Sequence, residues 1–552
     1  MRLIPLRLWL LAVLSGILQV LPFPIAGPTP LWRTSFCWVA LLPLLWALLG
    51  ESRTGKPLTL RQGAILGYVS GFIWYLGNCY WIYQTMYLYG GLAEPVAAGI
   101  LILFCLYLGL YHALFAALIA ACRARFGRQA ALFLVPFAWV AVELARARIT
   151  GLPWDLLGIA QVDNPLLTRL APFAGAYALS FVIAAVNALW LVRIRIREHR
   201  FTRPLLTGIG VAVIVLYVFA LHRAPIHKIS PVTARATLVQ ENLEVGAADT
   251  GPHLSTQQLL RSFSALSLNP PRSRCNGIPE LPSTRCVVFA PQPLSRDADA
   301  RTSVATSLIV WPESPAPFEE RDPQFRAAMS ALAREAHAPV IVGNIGIDRT
   351  DANSRGYNLF NSASFVTSDG DFAGRYDKMH LVPFGEYVPF KSLFFFANSL
   401  LNEVGTFDPG TRRVVFTSGG HTYGTFICYE SIFANEVRQY VQQGAEVLVN
   451  ISNDGWYGDT SAPWQHLNMV RMRAIENHRW VLRATNTGVT AAIDPYGRVT
   501  AAAPRHIRTA LQVGFGYERD VTFYAAYGDL FAYLCALVTA FALAVSMKRK
   551  MN

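Results

Sequence analysis

Charged residues are scarce in this sequence, at 15% of 552 residues, whereas hydrophobic residues make up 53%. That composition is too apolar for an ordinary water-soluble protein, so a membrane protein is the first class to consider. A period typical of repeat proteins is also missing, which argues against a solenoid or a propeller. We therefore expect one membrane domain that carries one large globular domain.

Acidic residues are fewer than basic ones, and the net charge is +13. Such an excess indicates nucleic-acid binding when the basic residues cluster on a polar domain. Here many of them lie instead in short loops between apolar runs. The positive charge is therefore better explained by membrane topology, and we expect no nucleic-acid partner.

Eight apolar runs predict eight transmembrane helices, most of them long enough to cross a hydrocarbon core of about 30 Å. The first run follows Arg2 and Arg7 and so resembles a signal peptide. Another apolar run follows almost at once after "LPFPIAGPTP", which favours a spanning helix instead. The eight runs are 9–25, 31–50, 63–83, 95–121, 130–144, 166–192, 205–221 and 524–545.

Lysine and arginine are absent from one set of loops, namely "PFPIAGPTP", "QTMYLYGG" and "ITGLPWDLLGIAQVDNP". They are concentrated in the alternate loops and in the C-terminal "MKRKMN". Because cytoplasmic loops carry the excess of Lys and Arg, both termini are expected in the cytoplasm. The basic loop residues are Arg53, Lys56, Arg61, Arg123, Arg125, Arg128, Arg193, Arg195, Arg197, Arg200 and Arg203.

This topology predicts three parts: a transmembrane domain of seven helices at 1–226, an extracytoplasmic domain at 227–519, and a final transmembrane helix with a cytoplasmic tail at 520–552. In the second part, short β-rich runs alternate with helical patterns, which favours an α/β domain. Predicted helices cover about 323–336, 432–443 and 464–478. The predicted strands are "RATLVQ", "SLIVWPE", "PVIVGNIGI", "NSASFVT", "VVFTS", "YGTFICY", "EVLVNIS" and "VTAAIDP".

Cysteine is rare, with eight residues in the chain. The segment 267–303, rich in Pro, Ser and Arg, is predicted to be a surface insertion and contains Cys275 and Cys286. On an oxidising face these two thiols could form a disulfide, or both could remain free. The cysteines in or beside apolar runs are expected to be packing residues: Cys37, Cys79, Cys105, Cys122 and Cys535.

The remaining cysteine, Cys428, ends a predicted strand in "TYGTFICYESIF" and precedes a predicted helix, where open α/β sheets usually carry their sites. A lone cysteine after an apolar run is more often a buried packing residue. No histidine flanks Cys428, so a Cys-His pair has no local signature. A nucleophilic role would need a base and a positive donor from elsewhere in the chain.

Two distant segments offer such groups. Glu313 follows an apolar strand in "LIVWPES", while Lys378 and Glu386 lie in "YDKMHLVPFGEYVPF". Taken singly, Glu313 could cap a helix, Lys378 could be a surface lysine, and Glu386 could be its ion-pair partner. Together with Cys428 they provide a carboxylate, an ammonium group and a thiol, each at the end of a strand-like run.

The segments "WPES", "YDKMHLVPFGEYVP" and "ICYESIF" resemble the glutamate, lysine and cysteine motifs of the nitrilase superfamily. Combined with eight spans, the form "K-x-x-L-V-P-F-G-E-Y-V-P" resembles the family of apolipoprotein N-acyltransferases, as do "YWIYQTMYLYGG" and "NISNDGWYGDTSAPWQH". The resemblance implies an α-helical polytopic membrane domain plus a nitrilase-like α-β-β-α sandwich.

The resemblance also implies a role for each matching residue. Cys428 would be the nucleophile, Glu313 the general base and Lys378 the oxyanion-stabilising group, with Glu386 in support. For the loop after "NIS" a second explanation stays open. Any one of its residues could equally well belong to a structural turn, rich in Asn, Asp and Gly and anchored by an aromatic side chain. The residues implied to line the substrate pocket are Tyr429, Glu430, Asn453, Asp454, Trp456 and Tyr457.

The implied enzyme moves an acyl chain from a membrane phospholipid, through a cysteine thioester, to the α-amino group of the N-terminal S-diacylglyceryl cysteine of apolipoproteins. It would need no cofactor or metal. Phosphatidylethanolamine is the expected donor, and a monomer in the bacterial inner membrane, with its catalytic domain on the periplasmic side, is the expected state.

Two other functions stay open from the residues alone. A membrane-tethered amidase would use the same groups and hydrolyse its thioester with water. A transporter or receptor would place ionisable residues along a pathway, and the predicted spans offer mainly Glu143. One motif also departs from the family, because "VQENLEVGAADTGPHLS" lacks the later Gln, Lys and Trp of "Q-x-N-x-x-Q-x-x-K-W".

Overall fold

The structure is a computed structural model that describes residues 4–51, 55–195, 230–245, 254–271, 273–274, 286–288, 306–313, 318–350, 356–383, 385–387 and 407–548. The predicted span at 205–221 lies outside these residues. Cys275 does as well, so the predicted pairing with Cys286 stays a prediction.

The N-terminal part of the described chain is helical, and the apolar runs of the sequence form its helices. Short helical turns connect them at Ser35–Trp38, Thr85–Tyr89, Arg146–Thr150, Leu157–Gln161 and Leu167–Leu170. The helices are α1 (Leu6–Val20), α2 (Leu31–Thr34), α3 (Leu42–Leu48), α4 (Leu60–Asn78), α5 (Trp81–Gln84), α6 (Glu94–Ala145) and α7 (Ala171–Arg195).

Helix α6 covers two predicted spans and the basic loop expected between them. Its regular geometry breaks at Gly127, where φ is 86° and ψ is −178°, a conformation that glycine adopts without steric cost. The chain folds back there, because His112 and Phe115 pack on Trp139 with ring centroids 5.3 and 5.0 Å apart. The predicted loop is thus a sharp turn within a helical hairpin.

Small residues let α4 approach α6 closely. Gly63, Gly67 and Gly71 recur every fourth residue, and a Cβ atom on any of them would lie 2.4 to 2.6 Å from atoms of α6. This spacing places all three on one face of α4, as in many membrane helix pairs. The two helices therefore pack backbone against backbone, and any larger side chain at these positions would separate them.

Three described helical stretches are long and apolar enough to cross a membrane: Leu31–Leu48, Glu94–Thr150 and Leu167–Arg193. The helices Leu6–Val20 and Leu530–Ser546 are also apolar but shorter. The described part of the chain thus has the helices of a membrane protein, while the full count of eight spans stays a prediction.

The rest of the chain forms two packed β-sheets. One has the order β14-β1-β4-β5-β6-β7, and the other the order β2-β3-β13-β12-β11-β10-β9-β8. Strands β2 and β3 are short additions from the predicted insertion, so six strands of each sheet form the sandwich. The strands are β1 (Ala234–Gln240), β2 (Ser273–Arg274), β3 (Cys286–Val288), β4 (Leu308–Val310), β5 (Val340–Arg349), β6 (Tyr357–Val366), β7 (Phe372–Asp377), β8 (Val415–Ser418), β9 (His421–Ile427), β10 (Val447–Ser452), β11 (Val481–Thr485), β12 (Ala491–Ile493), β13 (Val499–Ala502) and β14 (Thr509–Phe515).

Strand β1 pairs in parallel with β4, and β4 with β5; in the other sheet β10 pairs in parallel with both β9 and β11. Strand β13 also pairs in parallel with the short β3, and the other described pairs are antiparallel, including the long ladder between β5 and β6. Each sheet therefore has a parallel centre, whose strands end at one edge of the sandwich.

Successive side chains of a strand point to opposite faces of its sheet, so one set packs between the two sheets and the other packs against the helices. In and after β4, Leu308 and Val310 pack in the core between the sheets, whereas Ile309 and Trp311 pack against the helices outside. On the opposite side, Tyr440 of a helix packs on Phe426 of β9. The layers are α-β-β-α, as the resemblance implies. The helices of this part are α8 (Thr256–Leu268), α9 (Pro323–Ala336), α10 (Ala434–Gln442), α11 (Ala462–Asn477) and α12 (Phe523–Tyr527). The C-terminal helix α13 (Leu530–Lys548) packs on the helical part, where the rings of Phe531 and Phe181 of α7 lie 5.5 Å apart.

Helix α11 lies between the second sheet and the helical part, and nearly all of its residues are buried. Its Gln465 side chain donates hydrogen bonds to the Pro24 and Asn78 carbonyl oxygens and accepts one from Trp154 Nε1 at 2.8 Å. The sandwich is thus joined to the membrane helices through buried polar contacts. Ser267 and Leu268, the start of the predicted insertion, are the last residues of α8.

Candidate active site

Four strands end at the same edge of the sandwich with a polar residue. Lys378 directly follows β7, Cys428 directly follows β9 and Asn453 directly follows β10, while Glu313 comes three residues after β4. These residues come from both sheets. The edge where the sheets meet therefore collects side chains that are far apart in the sequence.

Lys378 is the centre of the cluster, and its side chain is 1% exposed. Its Nζ donates to Glu313 Oε1 and to Glu386 Oε1, each at 3.0 Å. Burial by itself lowers the pKa of Lys378, but the charges of Glu313 and Glu386 outweigh it and hold that pKa well above its usual value. The lysine is therefore a fixed cation between two carboxyl groups.

Asn361, in the middle of β6, holds the two carboxyl groups together. Its Nδ2 donates to Glu313 Oε1 at 2.7 Å and to Glu386 Oε1 at 2.6 Å, and its carbonyl oxygen accepts from Lys378 N at 2.9 Å. No prediction from the sequence names this residue. The only signal was an asparagine in the predicted strand "NSASFVT", which is ordinary without knowledge of its neighbours.

The second oxygen of each carboxyl group is fixed by the backbone. Asn453 N donates to Glu313 Oε2 at 2.8 Å, and Val382 N donates to Glu386 Oε2 at 2.7 Å. Burial raises the pKa of Glu386, although the charge of Lys378 opposes this. The contact with Asn453 also joins Glu313, from one sheet, to the loop that follows β10 of the other.

Cys428 is 5% exposed and starts the helical turn Cys428–Ile432. Its φ of 49° lies in the left-handed region, which is uncommon for a residue with a side chain and often marks a functional turn. Burial raises the pKa of the Cys428 thiol well above its usual value; the charge of Glu313 raises it further and that of Lys378 lowers it. At neutral pH the group is a thiol that lies within electrostatic reach of both Glu313 and Lys378.

Glu430 ties the turn of Cys428 to the loop of Lys378. Its Oε1 accepts from Tyr376 Oη at 2.7 Å and from Met379 N at 2.8 Å, while its Oε2 accepts from Ile427 N at 2.8 Å. Burial raises the pKa of Glu430, against the effect of these donors. Glu430, which the resemblance implies to line the pocket, thus connects the two loops through its hydrogen bonds.

The aromatic residues implied to shape the pocket contact the helical part. Tyr457 packs against Trp81 and Trp154, with ring centroids 5.2 and 6.1 Å apart, and Trp456 packs near Tyr89 at 6.4 Å. The loop after β10 therefore lies against the aromatic segment "YWIYQTMYLYGG" of the membrane region.

Two further pocket residues have defined partners. Tyr429 Oη donates to the Gly151 carbonyl oxygen at 3.4 Å, across the boundary with the helical part. Asn453 Oδ1 accepts from Gly455 N and from Asn486 Nδ2, each at 3.3 Å. The side chain of Asn453 stabilises its own loop, and its backbone N–H serves Glu313.

Within the described residues, one group of side chains has the spacing of metal ligands: His478, Glu518 and Asp520, whose ligand atoms lie within 4.8 Å of one another. It lies at the C-terminal end of α11, and Arg479 pairs with Asp520 there at 3.5 Å. The Glu313, Lys378 and Cys428 cluster belongs to a different part of the molecule, at the N-terminal end of α11.

Two protein families match the chain. Residues 15–189 match the family described as "Apolipoprotein N-acyltransferase N-terminal domain", and residues 283–514 match "Carbon-nitrogen hydrolase". An apolipoprotein N-acyltransferase of Geobacter metallireducens is 33% identical over 99% of this chain and 96% of its own length. The chain belongs to the apolipoprotein N-acyltransferase family. The family's protein from Methylococcus capsulatus is 31% identical over 95% of this chain and 93% of its own length.

Solved structures of the carbon-nitrogen hydrolase superfamily are also similar to the chain. A protein from Xanthomonas campestris is 18% identical, with a TM-score of 0.34, over 51% of this chain and 90% of its own. Nit3 of Saccharomyces cerevisiae is 16% identical, with a TM-score of 0.36, over 55% and 96%. Membership of the apolipoprotein N-acyltransferase family confirms the resemblance drawn from the motifs.

Proposed function

We propose that this apolipoprotein N-acyltransferase moves an acyl chain from a membrane phospholipid to the α-amino group of an N-terminal S-diacylglyceryl cysteine, through a thioester on Cys428. The observation that supports it best is the buried thiol beside a lysine held between two glutamates. Such a site provides a nucleophile, a base and a fixed cation in a space that excludes water.

In the first half-reaction Glu313 takes the proton of the Cys428 thiol as the sulfur attacks the ester carbonyl carbon of the phospholipid. The tetrahedral intermediate then breaks its C–O ester bond. Glu313 returns the proton to the departing oxygen, so a lysophospholipid with a free hydroxyl group leaves and a thioester remains. The raised pKa of Cys428 is consistent with a thiol that loses its proton only as it attacks.

In the second half-reaction the neutral α-amino group of the apolipoprotein attacks the thioester carbonyl carbon. Glu313 accepts one proton of the amine, the C–S bond breaks and an amide forms. The Cys428 sulfur recovers the proton, and the site is ready for another phospholipid. Since the first product leaves before the second substrate reacts, this scheme predicts ping-pong kinetics.

Lys378 has the role of oxyanion stabilisation, together with a backbone N–H of the Cys428 turn. Its Nζ is already fixed by Glu313 and Glu386, so little reorganisation is needed when negative charge develops on the substrate oxygen. Glu386 supports this role by setting the position of the ammonium group. Together with Glu313 it also keeps the lysine charged in a buried site.

The membrane helices suit substrates that are held in a bilayer. Moving an acyl chain into water would cost about 0.8 kcal/mol for each CH₂ group, whereas a site at the membrane surface avoids that cost. Eight spans, a periplasmic catalytic domain, a monomer and phosphatidylethanolamine as donor belong to this proposal. The aromatic contacts of Tyr457 with Trp81 and Trp154 support a site close to the membrane surface.

Acyl trapping tests the function directly. Purified protein is mixed with phospholipid that carries a labelled acyl chain, and the label on the protein is measured with and without hydroxylamine, which cleaves thioesters. Wild type is expected to retain the label and to lose it to hydroxylamine. Cys428→Ala is expected to remain unlabelled, while Cys535→Ala, which removes another buried thiol, keeps the label.

A chase with a diacylated lipopeptide separates transfer from hydrolysis. The label is expected to move to the peptide as an amide and to persist on the protein when no peptide is added. A label that clears equally fast in water alone would instead favour a membrane-tethered amidase. Acylation that survives in Cys428→Ala would show that Cys428 is not the nucleophile.

A further inference from the structure

His466 is a fully buried histidine of α11 that the proposed chemistry does not use. Its imidazole lies directly beneath the turn that begins with Cys428. It ends the segment "NISNDGWYGDTSAPWQH" that resembles the family, and no role follows for it from the sequence. Its contacts connect the nucleophile to a group of buried charges behind the second sheet.

One side of the ring is fixed by a buried acid. His466 Nδ1 lies 2.9 Å from Asp454 Oδ1, and Arg483 Nη2 donates to Asp454 Oδ2 at 2.5 Å. Burial by itself would raise the pKa of Asp454, but the charge of Arg483 and the contact with His466 outweigh it and hold that pKa below its usual range. Arg483 Nη2 also lies 3.2 Å from His466 Nδ1, so Asp454 and Arg483 together fix the orientation of the ring.

The opposite side of the ring contacts the turn of the nucleophile at two points. His466 Nε2 lies 2.6 Å from Ser431 Oγ and 3.1 Å from the carbonyl oxygen of Cys428. These atoms belong to the first and fourth residues of the turn Cys428–Ile432. A single imidazole nitrogen therefore contacts both the strained peptide of Cys428 and the hydroxyl group of Ser431.

A tryptophan of the helical part packs on one face of this ring. Trp154 stacks on His466 with ring centroids 6.0 Å apart and an angle of 25° between the planes. Its indole N–H is bonded to Gln465, the neighbouring residue of α11. The imidazole is thus held between Asp454 on the sandwich side and Trp154 of the membrane region, with little freedom to tilt.

We propose that His466 is a positioning residue that fixes the left-handed turn at Cys428, and so the direction of its sulfur, through Ser431 and the Cys428 carbonyl group. This inference rests on the proposed thioester chemistry at Cys428. Misplacing a nucleophile by about 1 Å can cost on the order of 100-fold in rate, so the effect belongs to the chemical step. Substrate binding is expected to be unaffected, because His466 is buried behind the turn.

Two amide substitutions separate the two sides of the ring. In His466→Gln the amide reaches about as far as Nε2 and can still contact Ser431 and the Cys428 carbonyl group. In His466→Asn the shorter amide reaches about as far as Nδ1. It can therefore still contact Asp454, but it cannot reach Ser431 or the Cys428 carbonyl group. Both variants bury a similar polar group. If the role of His466 were purely structural, the two substitutions would therefore change the acylation rate to the same extent.

The measurement is the rate of Cys428 acylation over a range of concentrations of phospholipid vesicles, in a single turnover. His466→Asn is expected to lower the maximal rate by about 10- to 100-fold with an unchanged half-saturating lipid concentration, and His466→Gln to recover much of it. Ser431→Ala should lie between them. Apparent melting temperatures, measured for both variants, should be close to each other.

His478→Asn is the matched control, since His478 lies at the other end of α11, also contacts an acidic residue and has a φ of 50° that asparagine tolerates. It should leave the acylation rate unchanged. Equal rates for His466→Gln and His466→Asn, or a changed half-saturating concentration alone, would overturn the positioning role. If wild type itself forms no thioester, the proposed function fails instead, which is a different result from equal rates in the two variants.

Discussion

Lys378 Nζ lies 3.0 Å from Glu313 Oε1, with both side chains almost completely withdrawn from solvent. The two residues are 65 positions apart in the sequence. A buried ion pair of this kind is weak evidence for stability, because removing the charges from water costs about as much as their attraction returns. Its presence at the end of two strands, beside a buried thiol, is better explained by chemistry.

Lys378→Met should abolish thioester formation and also destabilise the protein. The substitution leaves Glu313 and Glu386 as buried carboxyl groups that share Asn361 without a cation. Losing one partner of a buried pair costs about 3–5 kcal/mol, so the apparent melting temperature should fall. Adding Glu386→Gln removes one of the two charges and should restore part of the stability. Acylation should stay absent in the double variant; activity that returns with stability would show that Lys378 is only structural.

Alkylation of Cys428 by iodoacetamide should depend on pH in a way that reveals its neighbours. Burial and Glu313 raise the pKa of the thiol, so its thiolate forms only above the range of a free cysteine, about 8.5. Glu313→Gln removes a negative charge and should move the midpoint to lower pH. Lys378→Met removes a positive charge and should move it to higher pH. Shifts of the same sign in both variants would contradict the electrostatic arrangement of the site.

Glu430→Gln should reduce acylation although Glu430 takes no part in the proton transfers. Its carboxylate accepts from Tyr376 and Met379 on one side and from Ile427 on the other, whereas an amide has a single acceptor oxygen. At least one buried donor loses its partner, at a cost of about 1–3 kcal/mol in folding free energy. Thermal unfolding and the single-turnover rate measure both effects. Glu335→Gln, on an exposed face of α9, serves as the unaffected control.

Cysteine labelling tests the expected topology. In a background where Cys275 and Cys286 are serine, Gln257→Cys and Arg125→Cys each introduce a cysteine at an exposed position. A membrane-impermeant maleimide should label Gln257→Cys in intact spheroplasts and Arg125→Cys only after permeabilisation, since the basic loops are expected in the cytoplasm. The reverse pattern would place the sandwich on the cytoplasmic side.

Local signals predicted many elements of the sandwich correctly. The helix predicted at 323–336 is α9, which begins where the Asp322 side chain accepts from Gln324 N and ends at His337 in a left-handed conformation. The predicted strands are present at the core of both sheets, because period-two alternation reports which face is buried. Each of these signals is contained in a few neighbouring residues, so the sequence alone carries it.

The helical part was harder to predict in detail. The sequence predicts a basic loop around Arg123, Arg125 and Arg128, yet the chain stays helical up to a reversal at Gly127. Positive charge predicts the side of the membrane but not the conformation of the connection. That conformation depends on the packing of His112 and Phe115 against Trp139 across the hairpin, which a run of apolar letters does not encode.

The sequence by itself determined the class of the protein, its family resemblance, and the strand ends at which Glu313, Lys378 and Cys428 lie, because these follow from local hydropathy and motif spacing. Only the tertiary structure decided what surrounds them. Asn361 and His466 gain their significance from contacts across sheets and layers, at distances set by how the two sheets pack and not by position in the chain. A buried polar group acquires a role from its partners, and those partners come together only when the chain has folded.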